Sequence, residues 1–380
     1  MMKILGINIS HHASSCLLID NEIKFLLEDE RINRKKGYIP EDDLDDLENG
    51  SFKINFEEKL LNYTSHLDYV IFSSFGRTNN FDNFIIERYK EGMKKSGITW
   101  NEVIFEGDNH HIYHACSGFY GSEFDESVAL ILDGGGSIYQ DGSDFLGKNS
   151  QNYFREVETI FKLDYKSGVQ SLWKHHTLAE QSTNIFAENL NDNIISNSLS
   201  CGRMFNLFAY ELGFSNGDDS GKVMGMSSYH KESEFKKEYR WWRDIDWFTE
   251  MNNIWITSPE LHYNLQNINP FPYERLSKNY DDFLIRCDIA NKMQEETLNH
   301  TKRLIIKAVE LSKCKNVVIS GGYALNCLNN YQYLDIDTDI NLYVDPVCYD
   351  AGTSLGAAKW LYYKLTKSME KNPLTSLYLS

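Results

Sequence analysis

Three histidines fall within five residues at His110, His111 and His114, in the run His-His-Ile-Tyr-His. On a helix, His110 and His114 stand one turn apart and point the same way, so both imidazoles can reach one divalent ion. An i, i+4 histidine pair by itself also fits surface polarity or a helix cap. Three histidines followed by Ala115-Cys116-Ser117 fit that blander reading less easily. The turn Asp133-Gly134-Gly135-Gly136 follows soon after. Asp133 closes the apolar run Val128 to Leu132 and is expected at the C-terminal end of a strand. A carboxylate there can complete a facial ligand set, leaving positions open for water or a substrate oxygen. The glycines behind it make a turn suited to binding an anion.

A second glycine turn lies near the C-terminus. Asn316 to Ile319 reads as a strand leading into Gly321-Gly322 and then Ala324-Leu325-Asn326. A strand, a glycine pair and a helix form a common nucleotide-binding arrangement, because glycine lets backbone N–H groups approach phosphate and the helix N-terminus favours negative charge. Tight strand-to-helix turns also need glycine for steric reasons alone.

The elements that must position these residues read as an α/β chain. Lys3 to Ile9 is a β-rich apolar strand, and Ser14 to Ile19 with Glu22 to Leu27 reads as a hairpin turning at Asp20-Asn21. Glu41 to Glu48 is acidic, a solvated loop or helix end; Asp68 to Ser73 is a strand and Phe81 to Lys95 a helix. A second strand-turn unit opens at Ser127 and echoes the chain start, as a duplicated fold would. Ala179 to Leu190 and Cys201 to Leu212 read as helices, the latter with Gly213 as C-cap. Residues 230 to 280 look like an insertion rich in Trp, Tyr and Asn. A long helical period covers Asp282 to Cys314, and Leu342 to Val344 and Gly352 to Leu365 read as a strand and a helix.

Composition sets outer limits. At 380 residues, 42% hydrophobic and 13% aromatic, the chain can fill two cores or one duplicated fold. No apolar run approaches a membrane span, and Met1 to Ile9 is too strand-like for a signal peptide. Seven cysteines without a CxxC pair point to reduced thiols and a cytoplasmic protein. A net charge of −17 argues against a broad nucleic-acid surface. The basic clusters at Arg31, Arg34, Lys35 and Lys36 and at Lys236, Lys237, Arg240 and Arg243 read as solvated faces.

Five blocks in order resemble the O-carbamoyltransferases of nodulation-factor and antibiotic biosynthesis. They run from Ile4 to Arg31, His110 to Tyr120, Ser220 to Tyr229, Ser320 to Asn330 and Val344 to Ala358. The resemblance implies an actin-like ATPase (ASKHA) fold, two RNase H-like lobes around a nucleotide cleft, here at residues 1–125 and 126–380. It implies a divalent metal, iron first and manganese or zinc next, on His110, His114, Asp133 and Asp350. It places Gly134, Gly135, Gly321, Gly322 and Asn326 at the nucleotide, which is ATP or carbamoyl-adenylate, with Lys222 and Gly225 lining the adenylate pocket. His11 falls where the carbamoyl end should lie, and His12, His11 and Asp219 are the candidate bases.

Three departures from the family pattern stand out. His12 replaces a usual carboxylate in His11-His12-Ala13-Ser14, and Ser220 replaces the usual Glu before Gly221-Lys222. The family also carries a following YrdC-like domain that makes carbamoyl-adenylate, and the sequence ends near where it would begin, so a separate YrdC-like protein is the expected partner. The activity implied is carbamoyl transfer from carbamoyl-adenylate, or from carbamoyl phosphate, to a hydroxyl of a small metabolite, a sugar, or a hydroxymethylated nucleobase or nucleotide. A non-catalytic nucleotide-binding subunit and a relative of the tRNA threonylcarbamoyl-transferases are the alternatives.

Overall fold

The computed structural model describes residues 1–76, 81–141, 152–178, 188–190, 193–196, 200–214, 219–230, 280–336 and 339–376. The chain opens with β1 (Lys3–Asn8), β2 (Ser14–Ile19) and β3 (Glu22–Glu28), an antiparallel meander. Its first reversal puts Asp20 at a left-handed φ of 54°, a conformation Asp tolerates. Short helices α1 (Asp29–Asn33), α2 (Leu44–Asn49) and α3 (Glu57–Leu61) follow. Strands β4 (His66–Ser73) and β5 (Thr99–Phe105), joined across α4 (Phe81–Lys95), then add in parallel to give the order β3-β2-β1-β4-β5.

Helix α5 (His110–Gly121) leads to a second sheet of eight strands. They are β6 (Glu126–Leu132), β7 (Ile138–Asp141), β8 (Asn152–Asp164), β9 (Gly168–Leu178), β10 (Glu188–Leu190), β11 (Asn193–Ser196), β12 (Asn316–Ser320) and β13 (Asn341–Val344). Five of them, in the order β9-β8-β6-β12-β13, repeat the first sheet's order and strand senses. The echo read at Ser127 is therefore a structural duplication. The remaining α-helices among the described residues are α6 (Cys201–Glu211), α7 (Ser220–Ser227), α8 (Tyr280–Ser312), α9 (Cys327–Gln332) and α10 (Gly352–Thr366).

Strand alternation sorts the core into layers. On β1, Leu5 and Ile7 face a cluster with Ile85, Tyr89 and Met93 of α4, while Ile4 faces α5 and α10. On β6, Ala129 and Ile131 face that same middle layer, while Val128, Leu130 and Leu132 pack with α6 and α8. Two sheets thus enclose α5 and α10 between them, with further helices on each outer face. This is the actin-like arrangement of two RNase H-like lobes. The layer between the sheets includes the C-terminal helix α10, which packs on β1, β2, β4 and α5.

Close approach in that layer depends on glycine. A Cβ at Gly356 of α10 would overlap the Tyr113 carbonyl of α5, and one at Gly6 of β1 would overlap the Ser354 carbonyl. Gly356→Ala should therefore destabilise the fold by about 1–3 kcal/mol. The urea midpoint at unchanged slope reads this directly, and a wild-type midpoint would refute the close crossing.

The helices read at Phe81 to Lys95 and Cys201 to Leu212 form as expected, and Gly213 takes a φ of 90° past the end of α6. Two expectations need correction. Ala179 to Leu190 was expected to be helical, yet Glu188–Leu190 is a strand paired with β11, so sheet pairing overrides local helix propensity there; residues 179–187 lie outside the described residues. The Gly321-Gly322 turn runs into a 3-10 turn over Gly322–Leu325, and α9 begins only at Cys327, with Asn326 as its N-cap. The insertion read near 230–280 lies almost wholly outside the described residues, in which no helix is long and apolar enough to cross a membrane.

Candidate metal centre

Helix α5 is buried along almost its whole length, and His110, His111 and His114 are fully inaccessible. Burying three imidazoles costs solvation unless each finds a partner. The helical period puts His110 and His114 one turn apart with their Nε2 atoms 3.2 Å from each other. Asp133 projects from the end of β6, and Asp350 precedes the first turn of α10. His110 Nε2 lies 3.6 Å from Asp133 Oδ2 and 3.7 Å from Asp350 Oδ1; His114 Nε2 lies 3.6 Å from Asp350 Oδ1.

One donor atom from each of these four residues lies within 4.8 Å of all the others. Donors each about 2.1 Å from a shared ion, at tetrahedral or octahedral angles, stand roughly 3.0–3.4 Å apart. Four of the six donor separations, at 3.2–3.7 Å, are already near this spacing, so the set can close on one divalent cation. Two imidazoles and two carboxylates suit iron, manganese or zinc.

The electrostatics point the same way. Burial works against a charged His110 ring, but Asp350 and Asp133 overcome it and hold the ring protonated up to about 10. Burial would also raise Asp133, yet the neighbouring histidines, His110 foremost, hold its carboxyl well below the usual range. Asp350 is likewise held low against burial, chiefly by His110. A proton on His110 thus occupies an electrostatic position made for a cation.

Backbone groups aim Asp133. Gly322 N–H donates to its Oδ1 at 3.1 Å and Gly135 N–H to its Oδ2 at 3.3 Å, while Ser200 Oγ donates to its main-chain carbonyl at 2.9 Å. Gly321, at a φ of 94°, sits against the Leu132 carbonyl with no room for a Cβ. The second glycine turn therefore serves close strand packing and orients the Asp133 carboxylate, as the supporting shell of a metal-ligating carboxylate would. Asn326, expected near the nucleotide, exchanges amide hydrogen bonds with Gln294 of α8 at 2.7 and 3.1 Å.

The remaining expected residues lie on the turn after β1, on or at the start of α7 and on the turn after β6. His12 has a left-handed φ of 52°, and Asn8 Nδ2 donates to the carbonyls of His11 and His12 at 3.0 and 3.2 Å, fixing the turn. The His12 ring meets Tyr349, the neighbour of Asp350, edge to face at 4.9 Å. Asp219, at the start of α7, pairs with Lys222 at 2.8 Å and approaches Lys36 of the first half at 4.0 Å. Among the described residues, nothing approaches a Cβ placed at Gly225, and a Cβ at Gly134 would touch the Asn206 amide at 3.9 Å.

Sequence reasoning named His111 only as part of the histidine cluster, and it missed Glu156, Arg155 and Arg203. His111 has its Nδ1 2.6 Å from Thr159 Oγ1 and 3.5 Å from Glu156 Oε2 and its Nε2 3.9 Å from Asp133 Oδ2, while its ring occupies the space a Cβ at Gly136 would need. Glu156 in turn pairs with Lys174 at 2.7 Å. Arg155 of β8 donates to the Gly136 carbonyl at 3.3 Å, and Arg203 of α6 donates to the Gly134 carbonyl at 3.1 Å. One signal for Arg203 was legible: a cation in a helix's first turn opposes the helix dipole.

A second buried group lies beneath, where Glu158 receives His175 Nδ1 at 3.0 Å and His300 Nε2 at 3.1 Å, beside Cys201. Its acceptors are taken up by these rings and by Cys201 N–H at 3.3 Å, so it reads as a satisfied carboxylate bracing β8, β9, α6 and α8.

Residues 75–359 match the family model described as Carbamoyltransferase N-terminus. An uncharacterized Methanocaldococcus jannaschii protein is 27% identical over 93% of this chain and 56% of its own length. An uncharacterized Synechocystis protein is 23% identical over 98% of this chain and 59% of its own. The nodulation protein NolNO of Sinorhizobium fredii is 23% identical over 71% of this chain and 33% of its own. The chain thus spans little more than half the length of the first two relatives. Among solved structures, HypF of T. kodakarensis aligns with a TM-score of 0.51 at 14% identity, over 96% of this chain and 48% of its own, a likeness of fold. With three quarters of its length matched and the buried two-histidine, two-aspartate centre in place, the chain belongs to the carbamoyltransferase family, as its N-terminal domain.

Proposed function

We propose that this chain transfers a carbamoyl group from an activated phosphate donor, carbamoyl-adenylate first and carbamoyl phosphate next, to a hydroxyl of a small acceptor. The convergence of His110, His114, Asp133 and Asp350 on one point between the two sheets carries the reading. The divalent ion, when bound, supplies Lewis acidity at a phosphate or carbonyl oxygen. The chain's own residues do the rest. Gly322 and Gly135 keep Asp133 aimed, and the buried α5 keeps bulk water from the histidines. The acceptor proton goes to a base on the rim, His12 or His11 on the first turn, or Asp219 at the start of α7. The salt link from Asp219 to Lys36 supports a cleft bounded by both halves, with Lys222 at the nucleotide side.

The acceptor is a metabolite, a sugar, or a hydroxymethylated nucleobase or nucleotide. A separate YrdC-like protein is proposed as the source of the adenylate for these 380 residues. The test is transfer by the iron-loaded chain, read by mass spectrometry of a hydroxylated acceptor panel. With ATP and carbamoyl phosphate alone, product is expected only at trace level; added carbamoyl-adenylate, or a YrdC-like protein, should restore it. Robust transfer from carbamoyl phosphate without ATP would reject the adenylate route. Absence of transfer from supplied adenylate, with nucleotide and metal demonstrably bound, would favour the non-catalytic subunit, consistent with His12 and Ser220 standing where relatives carry acids.

A further inference from the structure

Arg155 and Arg203 both donate to carbonyls of the Asp133–Gly136 turn, one from β8 and one from α6. Arg155 comes from β8 and lies 5.3 Å from the Phe75 ring, its Nη1 donating to the Gly135 and Gly136 carbonyls at 3.5 and 3.3 Å. Its stem fills the space in which a Cβ at Gly135 would sit. Arg203 comes from the first turn of α6 and donates its Nε to the Gly134 carbonyl. Gly202, just before it, lets α6 press against Asp133 and Gly134 without a clash.

Neither guanidinium has a carboxylate partner among the described residues, and each is only partly exposed. Both are held below the ordinary guanidinium range by burial; Arg203 pushes Arg155 down further, while Asp133 and Asp350 pull it back. Two like charges therefore lie within mutual electrostatic reach, out of full solvent, with one of them at the positive end of a helix dipole. Carbonyl oxygens alone are weak compensation for this. The nearby aspartates offer no standing neutralisation either, since a divalent ion in the metal centre would balance both of them. With that ion bound, the two guanidiniums remain two uncompensated positive charges.

We propose that Arg155 and Arg203 are the anion clamp of this site and hold the phosphate that leaves during transfer. The inference rests on the carbamoyl-transfer reading and deepens it. In the transfer step, the bond from the acceptor oxygen to the carbamoyl carbon forms and the bond from that carbon to the phosphate oxygen breaks. The electron pair stays on the phosphate, and the acceptor proton passes to the base. An adenylate phosphate that enters as a monoanion thereby departs as a dianion. The two guanidiniums match the charge that develops, so they stabilise the leaving group more than the bound donor. The same chemistry accepts inorganic phosphate from carbamoyl phosphate, and the two sources separate in the test.

Calorimetry on the metal-loaded chain with AMP, inorganic phosphate and adenosine tests the clamp. Arg203→Gln and Arg155→Gln should each weaken AMP and phosphate binding by about 10- to 100-fold. Adenosine affinity and metal content should be unchanged, and the Arg→Lys variants should recover part of the loss. The Lys variants also keep the test alive should either Gln variant fold poorly. Equal AMP and phosphate affinity in wild type and Gln variants would overturn the proposal. So would a parallel loss of adenosine binding, which would make the arginines shapers of the pocket. If phosphate binds in an arginine-dependent way but adenosine adds no affinity, the clamp stands and the adenylate donor falls.

Discussion

His114→Ala is expected to remove the divalent ion and to lower transfer by on the order of 100-fold or more, given that loss of a mere supporting contact to a ligand costs 10- to 100-fold. The imidazole leaves a fully buried position on α5. Three donors would remain, and Asp350 would lose one of the two histidines that face it at 3.6–3.7 Å. Metal content by elemental analysis should fall together with activity. Chelation of the wild-type protein should lower its melting temperature, because an ion that binds only the folded state stabilises it by mass action. Full metal occupancy in His114→Ala would remove that histidine from the ligand set.

The second large effect concerns stability. Glu158→Gln should destabilise the protein by about 3–5 kcal/mol, the usual consequence of breaking a buried, hydrogen-bonded charge pair from one side. Glu158 is completely buried, so burial alone would raise its carboxyl, yet His300 and His175 hold it well below the usual carboxylate range. The sign of the pH dependence follows. A carboxylate whose folded value is depressed contributes stability in full above its unfolded value of about 4.3, and that contribution drains as the pH falls from there toward the depressed value. Urea unfolding at successive pH values from about 5 downward, through the unfolded value, should show this loss in wild type, with a shallower slope in Glu158→Gln. Equal slopes would mean that Glu158 is not ionised in the folded protein.

How much of this was legible beforehand depends on range along the chain. The hairpin at Asp20-Asn21, helix α4, helix α6 with Gly213, and the long α8 all follow from periodicity and turn chemistry within a few neighbouring residues. The His110–His114 pair was legible for the same reason, since a helix brings i and i+4 together on its own. Asp350 was placed by resemblance, since nothing local to it reports a partner on α5. The strand at Glu188–Leu190 was misread as helix because its only support is pairing with β11, a contact that local propensity does not contain.

What the sequence determined by itself is therefore the set of reactive groups and the elements carrying them: two imidazoles on one helical face, a carboxylate ending an apolar strand, and glycine turns after β6 and β12. The tertiary structure decided which of these meet. It placed the Gly322 N–H on Asp133, so that the second glycine turn orients that carboxylate, and it brought the guanidiniums of Arg155 and Arg203 to the carbonyls of the first turn. The physical reason is that backbone periodicity fixes neighbours within a turn or a strand. The approach of β12 to β6, and of α6 to the Asp133 turn, is won only when parallel pairing and a shared apolar core repay the closure of long loops.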